Sequence, residues 1–406
     1  MISVVEAKQR LLEEFDRLDL ETISLNQSVG RVLAQSIVAK MDLPPFSNSG
    51  MDGFAVRSVD VIHASNEKPI LLKVIGDIPA GSAPDFSISI DSAGRIMTGA
   101  VLPAGADCVV PVEDTDFNFR GGDIALPELV KIFTPAQAGQ NVRIKGQDVQ
   151  VGDQVLEEGR WLRPQEVGFL SMLGFADVPV YRKPRVGVLS SGNELLQPGE
   201  AIEPGKIFDA NSVMLSGQIE RAGGEVVSLG ISSDQADDLK RRLDNAVRSG
   251  IDLIVSSAGV SVGAFDLVRG VIEEEGDLAF WKVNMRPGKP FVFGHYQQIP
   301  FFGLPGNPVS AFVSFEVFVR PALSKMTGRG LERQRIQVTL GEALESDGRE
   351  SYLRAIISDD GNRIAHLTGH QGSGNLRSLV QANALLIVPS GVKSLPTGSM
   401  VEAWSL

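Results

Sequence analysis

Cysteine and histidine are scarce in this chain of 406 residues, which contains one cysteine and four histidines. The single thiol, Cys108, excludes an internal disulfide and any site built from several thiolates. Neither Cys-x-x-Cys nor His-x-x-His spacing occurs, so a zinc-type cage is not expected. A metal that binds here should therefore be a hard cation with oxygen ligands.

Positive charge is outnumbered, with 38 Lys and Arg against 50 Asp and Glu and a net charge of -12. This balance argues against nucleic acid as a partner, because binding to its backbone needs a basic face. The N-terminus shows no signal-peptide pattern. The uncharged stretch between Lys289 and Glu316 is broken by prolines and glycines, which is not typical of a membrane helix. We therefore expect a cytoplasmic protein with no membrane or nucleic-acid partner.

Two catalytic signatures are absent and a third lacks support. The sequence contains neither a P-loop nor a Gly-x-Gly-x-x-Gly dinucleotide fingerprint. A serine-hydrolase triad is not supported, since the histidines have no evident matched partner. Candidate functional residues are therefore expected in loops that match none of these signatures.

In the first half of the chain the sequence pattern changes from helical to β-rich and back to helical. Ser3 and Glu6 form a capping-box pattern ahead of an apolar helical repeat. From about residue 44 to 148, short β-prone runs alternate with Gly, Pro and Asp, which is typical of a small all-β domain. Because a helical pattern returns at 164–173, this block is interpreted as an insertion. The expected strands are at 70–75, 88–90, 108–112 and 129–133.

From residue 185 strands and helices alternate, which predicts a mostly parallel sheet covered on both faces. Asn211 is the expected N-cap of a helix over 212–222. After residue 328 the alternation gives way to strands typical of a terminal β domain. The predicted fold is a multidomain α/β protein with a three-layer α/β domain, an inserted β-rich domain, a helical or extended linker domain and a C-terminal β domain. Its predicted limits are 1–43 with 143–177, 44–142, 178–328 and 329–406.

Three loops of the α/β region are rich in Gly and Pro and hold polar groups, at 257–266, 285–290 and 303–310. Ligands bind beyond the carboxyl ends of parallel strands, so these loops are candidates for an anion site. Asp266 reads either as a plain N-cap or as a magnesium ligand. Arg286 and Lys289 flank a Pro-Gly turn, and Ser310 lies at a helix start. Each loop could equally be a rigid turn with no ligand.

Two further loops contain candidate carboxylates. Residues 190–194 follow the first strand of the alternating domain, and Glu194 could share Mg²⁺ with Asp266. The turn-rich segment 44–56 contains Asp52, and the turns near Thr98 and Asp107 are similar. Chemistry alone favours plain turns for these segments of the inserted domain.

Taken together, the motifs resemble the molybdopterin molybdenumtransferases, a family that includes the E-domain of gephyrin. The matching segments occur in family order across most of the chain, at 44–56, 98–99, 102–115, 188–195, 208–212, 257–266, 280–294, 303–323, 348–355 and 375–389.

The resemblance implies an elongated, four-domain homodimer that takes adenylylated molybdopterin and molybdate, inserts the metal into the dithiolene of the pterin, and releases AMP. It implies Mg²⁺ as the cofactor and the molybdopterin adenylyltransferase as a possible partner. Since the substrate supplies the sulfur ligands of molybdenum, a chain with one cysteine is sufficient.

The resemblance also assigns roles to matched positions. Asp52, Glu194 and Asp266 would organise magnesium and cleavage of the pyrophosphate, so that these three are the expected metal ligands. Lys289 joins them as a catalytic residue and also faces the oxyanion. The expected substrate-binding residues are Thr98, Ser191, Asp209, Asp234, Ser261, Arg286 and Ser310.

Two alternatives remain open at this point. The chain could adenylylate molybdopterin, an activity of a related α/β domain, or it could be a non-catalytic scaffold that binds a peptide. The sequence departs from the usual family pattern at Ala258, Phe265, Arg286 and Asn193. These departures concern the details of substrate binding more than the resemblance to the family. Preference between molybdate and tungstate is not encoded in any motif recognised here.

Overall fold

The computed structural model describes residues 1–117, 125–257, 264–330, 333–358 and 361–406, without the side chains of 264–266 and 269. Within these ranges the α-helices are α1 (Val4–Glu13), α2 (Ser58–Val61), α3 (Pro164–Met172), α4 (Ala210–Arg221), α5 (Ala236–Arg248), α6 (Ala264–Glu275), α7 (Pro308–Ser314), α8 (Arg320–Met326) and α9 (Leu376–Gln381). A π-helical turn, Phe315–Val319, joins α7 to α8.

The strands of the described ranges are short in the first half of the chain and longer in the second. They are β1 (Leu20–Ser24), β2 (Ile37–Val38), β3 (Asn48–Ser49), β4 (Gly53–Val56), β5 (Ile70–Ile78), β6 (Ser92–Ile96), β7 (Cys108–Pro111), β8 (Leu129–Ile132), β9 (Val142–Arg143), β10 (Gln154–Leu156), β11 (Asp177–Tyr181), β12 (Arg185–Ser191), β13 (Leu195–Leu196), β14 (Ile207–Phe208), β15 (Glu225–Ser232), β16 (Leu253–Ser257), β17 (Gly276–Lys282), β18 (Met285–Arg286), β19 (Pro290–Tyr296), β20 (Ile299–Leu304), β21 (Arg335–Leu340), β22 (Leu344–Glu345), β23 (Glu350–Ile357), β24 (Ile364–Leu367), β25 (Ala384–Val388), β26 (Ser394–Leu395) and β27 (Met400–Ser405).

These elements form two compact units. The first contains residues 1–34, 159–163 and 177–406, and the second contains residues 35–158 and 164–176. The first unit holds the α/β sheet and the C-terminal strands. The second holds the β-rich insertion that the sequence predicts.

The central sheet of the first unit has the strand order β15-β12-β16-β20-β19-β17. Its first four strands are parallel, and β19 and β17 add an antiparallel edge. The carboxyl ends of four parallel strands therefore meet along one edge, where ligands bind in folds of this kind.

Both faces of this sheet are covered, because successive buried residues of each strand point to opposite sides. Phe302 packs in a core with α1, α4, α7 and α8, whereas Phe301 packs in a second core with α5 and α6. Val255 and Ile254 divide between the two cores in the same way. The predicted three-layer arrangement is confirmed.

The N-terminal helix belongs to the first of these cores. Ser3 caps α1 by accepting a 3.1 Å hydrogen bond from the backbone N–H of Glu6, as the capping pattern predicts. Leu11 is fully buried on its inner face. The helix thus covers the α/β sheet despite its distance in sequence.

The C-terminal strands form a closed, barrel-like sheet. Its order is β18-β23-β24-β21-β27-β25, and β23 also pairs with β25. The short strand β18 comes from the α/β part of the chain and pairs in parallel with β23, with Arg286 opposite Ser351. The loop that contains Arg286 is therefore tied to the terminal domain.

The second unit is built on a five-stranded sheet of order β7-β4-β6-β5-β8. Phe54 and Val110 are buried in its core. Gly53 lies where β4 passes close to β7, and a Cβ at this position would stand 2.0 Å from the carbonyl oxygen of Val110. Only glycine permits this approach.

The predicted fold class is confirmed, but one expected strand is wrong. Residues 88–90 are described and form no strand, because Ile88 is held against the turn after Pro103, donating its backbone N–H to Ala104 O at 2.8 Å. A Cβ on Gly105 would stand 2.2 Å from Ile88 O, so that turn also needs glycine. The four domain limits stay a prediction.

No helix in the described part of the chain is long and apolar enough to cross a membrane.

Cys108 is expected to be chemically inert in the folded protein. It is fully buried, and burial, followed by the charge of Asp107, raises its pKa to about 12. At pH 8 a pKa of 12 leaves a thiolate fraction on the order of 10⁻⁴. Iodoacetamide at pH 8 should leave the native chain unmodified over an hour and add one label in guanidinium. Rapid labelling of the native chain would contradict the buried placement.

Candidate functional site at the ends of the parallel strands

Buried serines mark the carboxyl ends of two adjacent parallel strands, β12 and β16. Ser190 is the next-to-last residue of β12 and Ser257 is the last residue of β16, and their hydroxyls lie 3.2 Å apart. Ser191 Oγ and Ser256 Oγ are buried without a hydrogen-bond partner among the described residues. An unpaired buried hydroxyl costs about 1–3 kcal/mol, so this sheet edge is suited to a ligand that would satisfy them.

Glu194 is held directly beside this edge. Gly192 follows β12 with a φ of +147°, and a Cβ there would stand 2.5 Å and 2.7 Å from the two carboxylate oxygens of Glu194. Gly192 also donates its N–H to Ser232 O at the end of β15, at 3.1 Å. Glycine at position 192 thus lets an exposed carboxylate fold back against the strand end.

Asp234 reaches the same edge through Asn193. The backbone N–H of Asn193 donates to Asp234 Oδ2, and the N–H of Asp234 donates to Asn193 Oδ1, each at 3.3 Å. The structure therefore brings together two sequence-predicted carboxylates, Glu194 and Asp234, at the ends of neighbouring strands.

Asp209, rather than Asn211, caps α4, so the expected cap is wrong. Asp209 Oδ1 accepts from Ser212 N at 3.1 Å, and Asp209 is buried. Its Oδ2 has no hydrogen-bond partner among the described residues. Asn211 instead donates to Gly306 O at 2.8 Å, which connects α4 to the loop after β20.

Replacing Asp209 by asparagine is expected to separate the two roles of this side chain. Asparagine caps helices as well as aspartate does, so the thermal midpoint should change by less than about 2 °C. Ligand affinity should fall about tenfold if the carboxylate contacts the ligand, measured by calorimetry with the adenylylated molybdopterin that the resemblance implies. Equal affinity in both proteins would leave Asp209 with a structural role alone.

The Arg286 loop packs on α7. Gly288 is buried with a φ of +108°, and a Cβ there would stand 2.6 Å from Ser314 Oγ. Ser310 is buried one turn earlier on the same face of the helix. Lys289 is exposed in this loop. The predicted cations and Ser310 therefore belong to one local arrangement.

A carboxylate from the terminal domain faces Arg286. Asp347 Oδ2 lies 3.8 Å from an Arg286 nitrogen. Hydrogen bonds from Arg349, together with the nearby charge of Arg286, lower the pKa of Asp347 below its usual range. Arg286 therefore has an ionised partner in the terminal domain.

Arg354 is a candidate that the sequence reasoning missed. It is fully buried in β23, donating from Nε to Ser378 Oγ at 3.1 Å and from a terminal nitrogen to Gly372 O at 3.0 Å. Burial, followed by the charge of Arg286, lowers its pKa to about 10. An arginine inside the apolar run 352–357 was the available signal.

The loop that receives Arg354 also touches the start of α7. Ser373 O accepts from Val309 N at 3.1 Å, and Asn307 donates to Ser373 Oγ at 3.0 Å. Arg354, Arg286 and Ser310 thus belong to one positively charged region of the first unit.

Asp52 and Thr98 form a local pair in the second unit. Thr98 donates from its backbone N–H and from Oγ1 to Asp52 Oδ1, at 2.6 Å and 2.8 Å. Both residues are exposed. The structure confirms no role for either, but it joins two residues that the resemblance assigns to the substrate.

The remaining predicted residues are outside the structural description. Ser261 lies outside the described residues, as do Ala258 and the side chains of Phe265 and Asp266. The backbone of Asp266 lies in the first turn of α6, which begins at Ala264 rather than after Asp266. Among the described residues, no group of three or more His, Cys, Asp or Glu is arranged to hold a metal.

The fold and the polar strand ends define a multidomain α/β protein with a candidate ligand site at the carboxyl ends of its parallel strands. Three family models match consecutive parts of the chain. They are the MoeA N-terminal region (domain I and II) at residues 2–174, a probable molybdopterin binding domain at 187–325, and the MoeA C-terminal region (domain IV) at 337–406.

Curated relatives and a solved structure agree with these matches. The molybdopterin molybdenumtransferase 2 of Mycobacterium tuberculosis is 38% identical over 99% of both chains. The molybdopterin molybdenumtransferase of Haemophilus influenzae is 34% identical over 99% of this chain and 98% of its own. A molybdopterin biosynthesis moeA protein from Pyrococcus horikoshii OT3 has a TM-score of 0.81 at 32% identity, with complete coverage of both chains. The chain belongs to the molybdopterin molybdenumtransferase family, a family of transferases, which confirms the resemblance.

Residues 259–263 also have the spacing Gly-x-Ser-x-Gly, which serine hydrolases use for their nucleophile. They lie outside the described residues. Because the chain belongs to a different family, this spacing alone does not indicate a hydrolase.

Proposed function

We propose that this protein inserts molybdenum from molybdate into adenylylated molybdopterin and releases AMP. The single observation that carries the proposal is the Glu194 carboxylate folded over Gly192 beside buried hydroxyls at the ends of parallel strands. Membership in the family supplies the reaction class. The substrate's dithiolene would bind molybdenum, which agrees with a chain whose only thiol is buried.

We assign Glu194 and Asp266 of the first unit to magnesium, and Asp52 of the second unit keeps the magnesium role that the resemblance implies. The described donors of this edge are hard oxygens, and Mg²⁺ commonly takes one or two carboxylates together with substrate phosphates. When bound, the ion would neutralise charge on the pyrophosphate link of the substrate. Glu194 would orient that link against the strand ends, and Asp234 would fix the Asn193 turn that presents Glu194.

The cationic region would hold the oxyanions. We assign Arg286, Lys289, Ser310 and Ser261 to molybdate and phosphate oxygens, since cations with fixed loops are suited to that task. The buried Arg354 would add positive potential to this region. Ser191, Asp209, Asp234 and Thr98 would contact the pterin substrate. Lys289, being exposed, is the cation best able to follow charge that develops on the leaving AMP.

The assembly proposals rest on the family resemblance. We propose a homodimer in the cytoplasm that receives adenylylated molybdopterin from the molybdopterin adenylyltransferase. Sedimentation equilibrium would measure the assembly state. A mass of one chain of 43.5 kDa at micromolar concentration would contradict the dimer.

The reaction is tested by incubating the protein with adenylylated molybdopterin, Mg²⁺ and molybdate. AMP release that depends on molybdate is the expected result, with chromatography as the measurement. No AMP under any condition would overturn the proposal. Consumption of ATP with pyrophosphate release would instead indicate adenylyl transfer, and absence of heat on titration with the pterin would indicate a scaffold.

A further inference from the structure

A positively charged cavity lies in the first unit, away from the candidate site. It has a volume of about 350 Å³, and its lining includes Trp161, Arg221, Arg320, Ser324 and Arg329. Among its described lining residues there is no carboxylate. Arg221 ends α4, a helix of 12 residues whose other end is capped by Asp209. A helix of this length spans about 18 Å, so the cavity is separate from the strand ends.

Arg329 is the best-fixed cation of this cavity. It donates to Arg221 O at 3.1 Å, and its guanidinium lies 4.9 Å from the centre of the Trp161 ring. Gly223, with a φ of +92°, leaves room for this approach, because a Cβ there would stand 3.3 Å from an Arg329 nitrogen. A guanidinium has five N–H donors, so a single backbone bond leaves capacity for a ligand.

The charges around the cavity repel one another. Burial lowers the pKa of Arg329. Burial also lowers the pKa of Arg320; the charge of Glu316 opposes this shift, and the charges of Arg333 and Arg329 add to it. Glu316 lies 3.3 Å from Arg320 and 3.1 Å from Arg333. An anion in the cavity would relieve this repulsion.

We propose that this cavity binds a phosphate dianion, either free or as the monoester of a small metabolite. Arg221, Arg320 and Arg329 would supply the N–H donors, which suit the geometry of phosphate oxygens. Ser324 would add a hydroxyl. Trp161 is about half exposed, at 48%, and offers an aromatic surface to an attached ring. The volume falls in the lower range of small-molecule sites, roughly 300–1,000 Å³.

The test is calorimetric titration of the full chain with inorganic phosphate and, separately, with AMP, at constant ionic strength set by chloride. We expect saturable binding that weakens at least tenfold in Arg329→Gln and in Arg221→Gln. Arg248→Gln is the matched control, because Arg248 ends α5 as Arg221 ends α4 and is also exposed. Arg248→Gln should change the affinity for phosphate and AMP by less than twofold. Lys289→Gln should weaken only a binding event that belongs to the candidate site, and the event that depends on Arg329 should keep its affinity, which separates this cavity from the candidate site.

The two probes identify the source of the phosphate. Tighter binding of AMP than of phosphate, reduced by Trp161→Ala, supports a monoester. Equal binding supports the free ion. Arg329→Lys, which keeps the charge but not the planar fork, should show intermediate affinity with an unchanged thermal midpoint, and this guards against a folding defect.

Three outcomes would overturn the proposal. One is the absence of saturable binding of either probe. Another is binding abolished by Lys289→Gln and unaffected by Arg329→Gln. The third is a change of oligomeric state in Arg329→Gln without any phosphate binding to the original chain, which would assign the arginines to a contact between copies.

Discussion

Replacing Glu194 by glutamine is expected to lower the rate of molybdate-dependent AMP release about 100-fold, equivalent to roughly 2.7 kcal/mol of transition-state stabilisation. The change keeps the size of the side chain that lies against Gly192 and removes only its charge. Single-turnover assays at saturating pterin and Mg²⁺ would measure the rate of AMP release. Because Glu194 is exposed, the thermal midpoint should not move.

Glu203→Gln is the matched control, since Glu203 is an exposed glutamate nine residues further along the same connection. Its rate should equal that of the original chain. If excess Mg²⁺ raises the rate of AMP release by Glu194→Gln more than tenfold, the substitution has weakened Mg²⁺ binding. A Glu194→Gln enzyme with full activity would remove Glu194 from the proposed mechanism.

Gly53→Ala is expected to destabilise the second unit by about 3–5 kcal/mol, within the range of severe single substitutions. The added Cβ would stand 2.0 Å from Val110 O and 2.9 Å from Val110 C. Both are backbone atoms of the paired strand β7, so the two strands must separate. Asp52 precedes this glycine, and its bond to Thr98 should weaken as well. Urea unfolding followed by circular dichroism would measure the change.

Gly168→Ala provides the opposite expectation in the same unit. Gly168 lies in α3, and a Cβ there would meet no heavy atom within 4 Å. Alanine in a helix interior should stabilise by about 0.5–1 kcal/mol. Equal effects of the two substitutions would show that glycine content, rather than the close approach of β4 and β7, governs stability.

The architecture could largely be predicted because its periodicities are strong. Alternating strands and helices from residue 185 predict the three-layer domain, and to its central sheet the structure adds the edge strand β17, which the sequence reasoning did not anticipate. That strand follows α6 directly, since Glu275 ends the helix and Gly276 begins the strand.

The candidate site could be predicted only where loops follow strands. Glu194 and Asp234 come after adjacent parallel strands, so their shared edge follows from topology. The choice between Asp209 and Asn211 as the cap could not be made, because both residue types cap equally well. Arg354 escaped for a different reason: its partners are backbone carbonyls and Ser378, which lie in a loop and a helix 16 to 24 residues away.

The pairing of β18 with β23 has a consequence for how the protein can be divided. The strand segment before Pro287 takes its hydrogen-bonded neighbour from the terminal domain, and Arg349 donates to Met285 O at 3.1 Å. A chain ending at residue 328 would keep the whole parallel sheet and Glu194, yet would lose both contacts. If the proposed assignments hold, the isolated α/β domain should still bind the pterin, but the orientation of its cations would not be fixed, and the proposed oxyanion site would require the terminal domain.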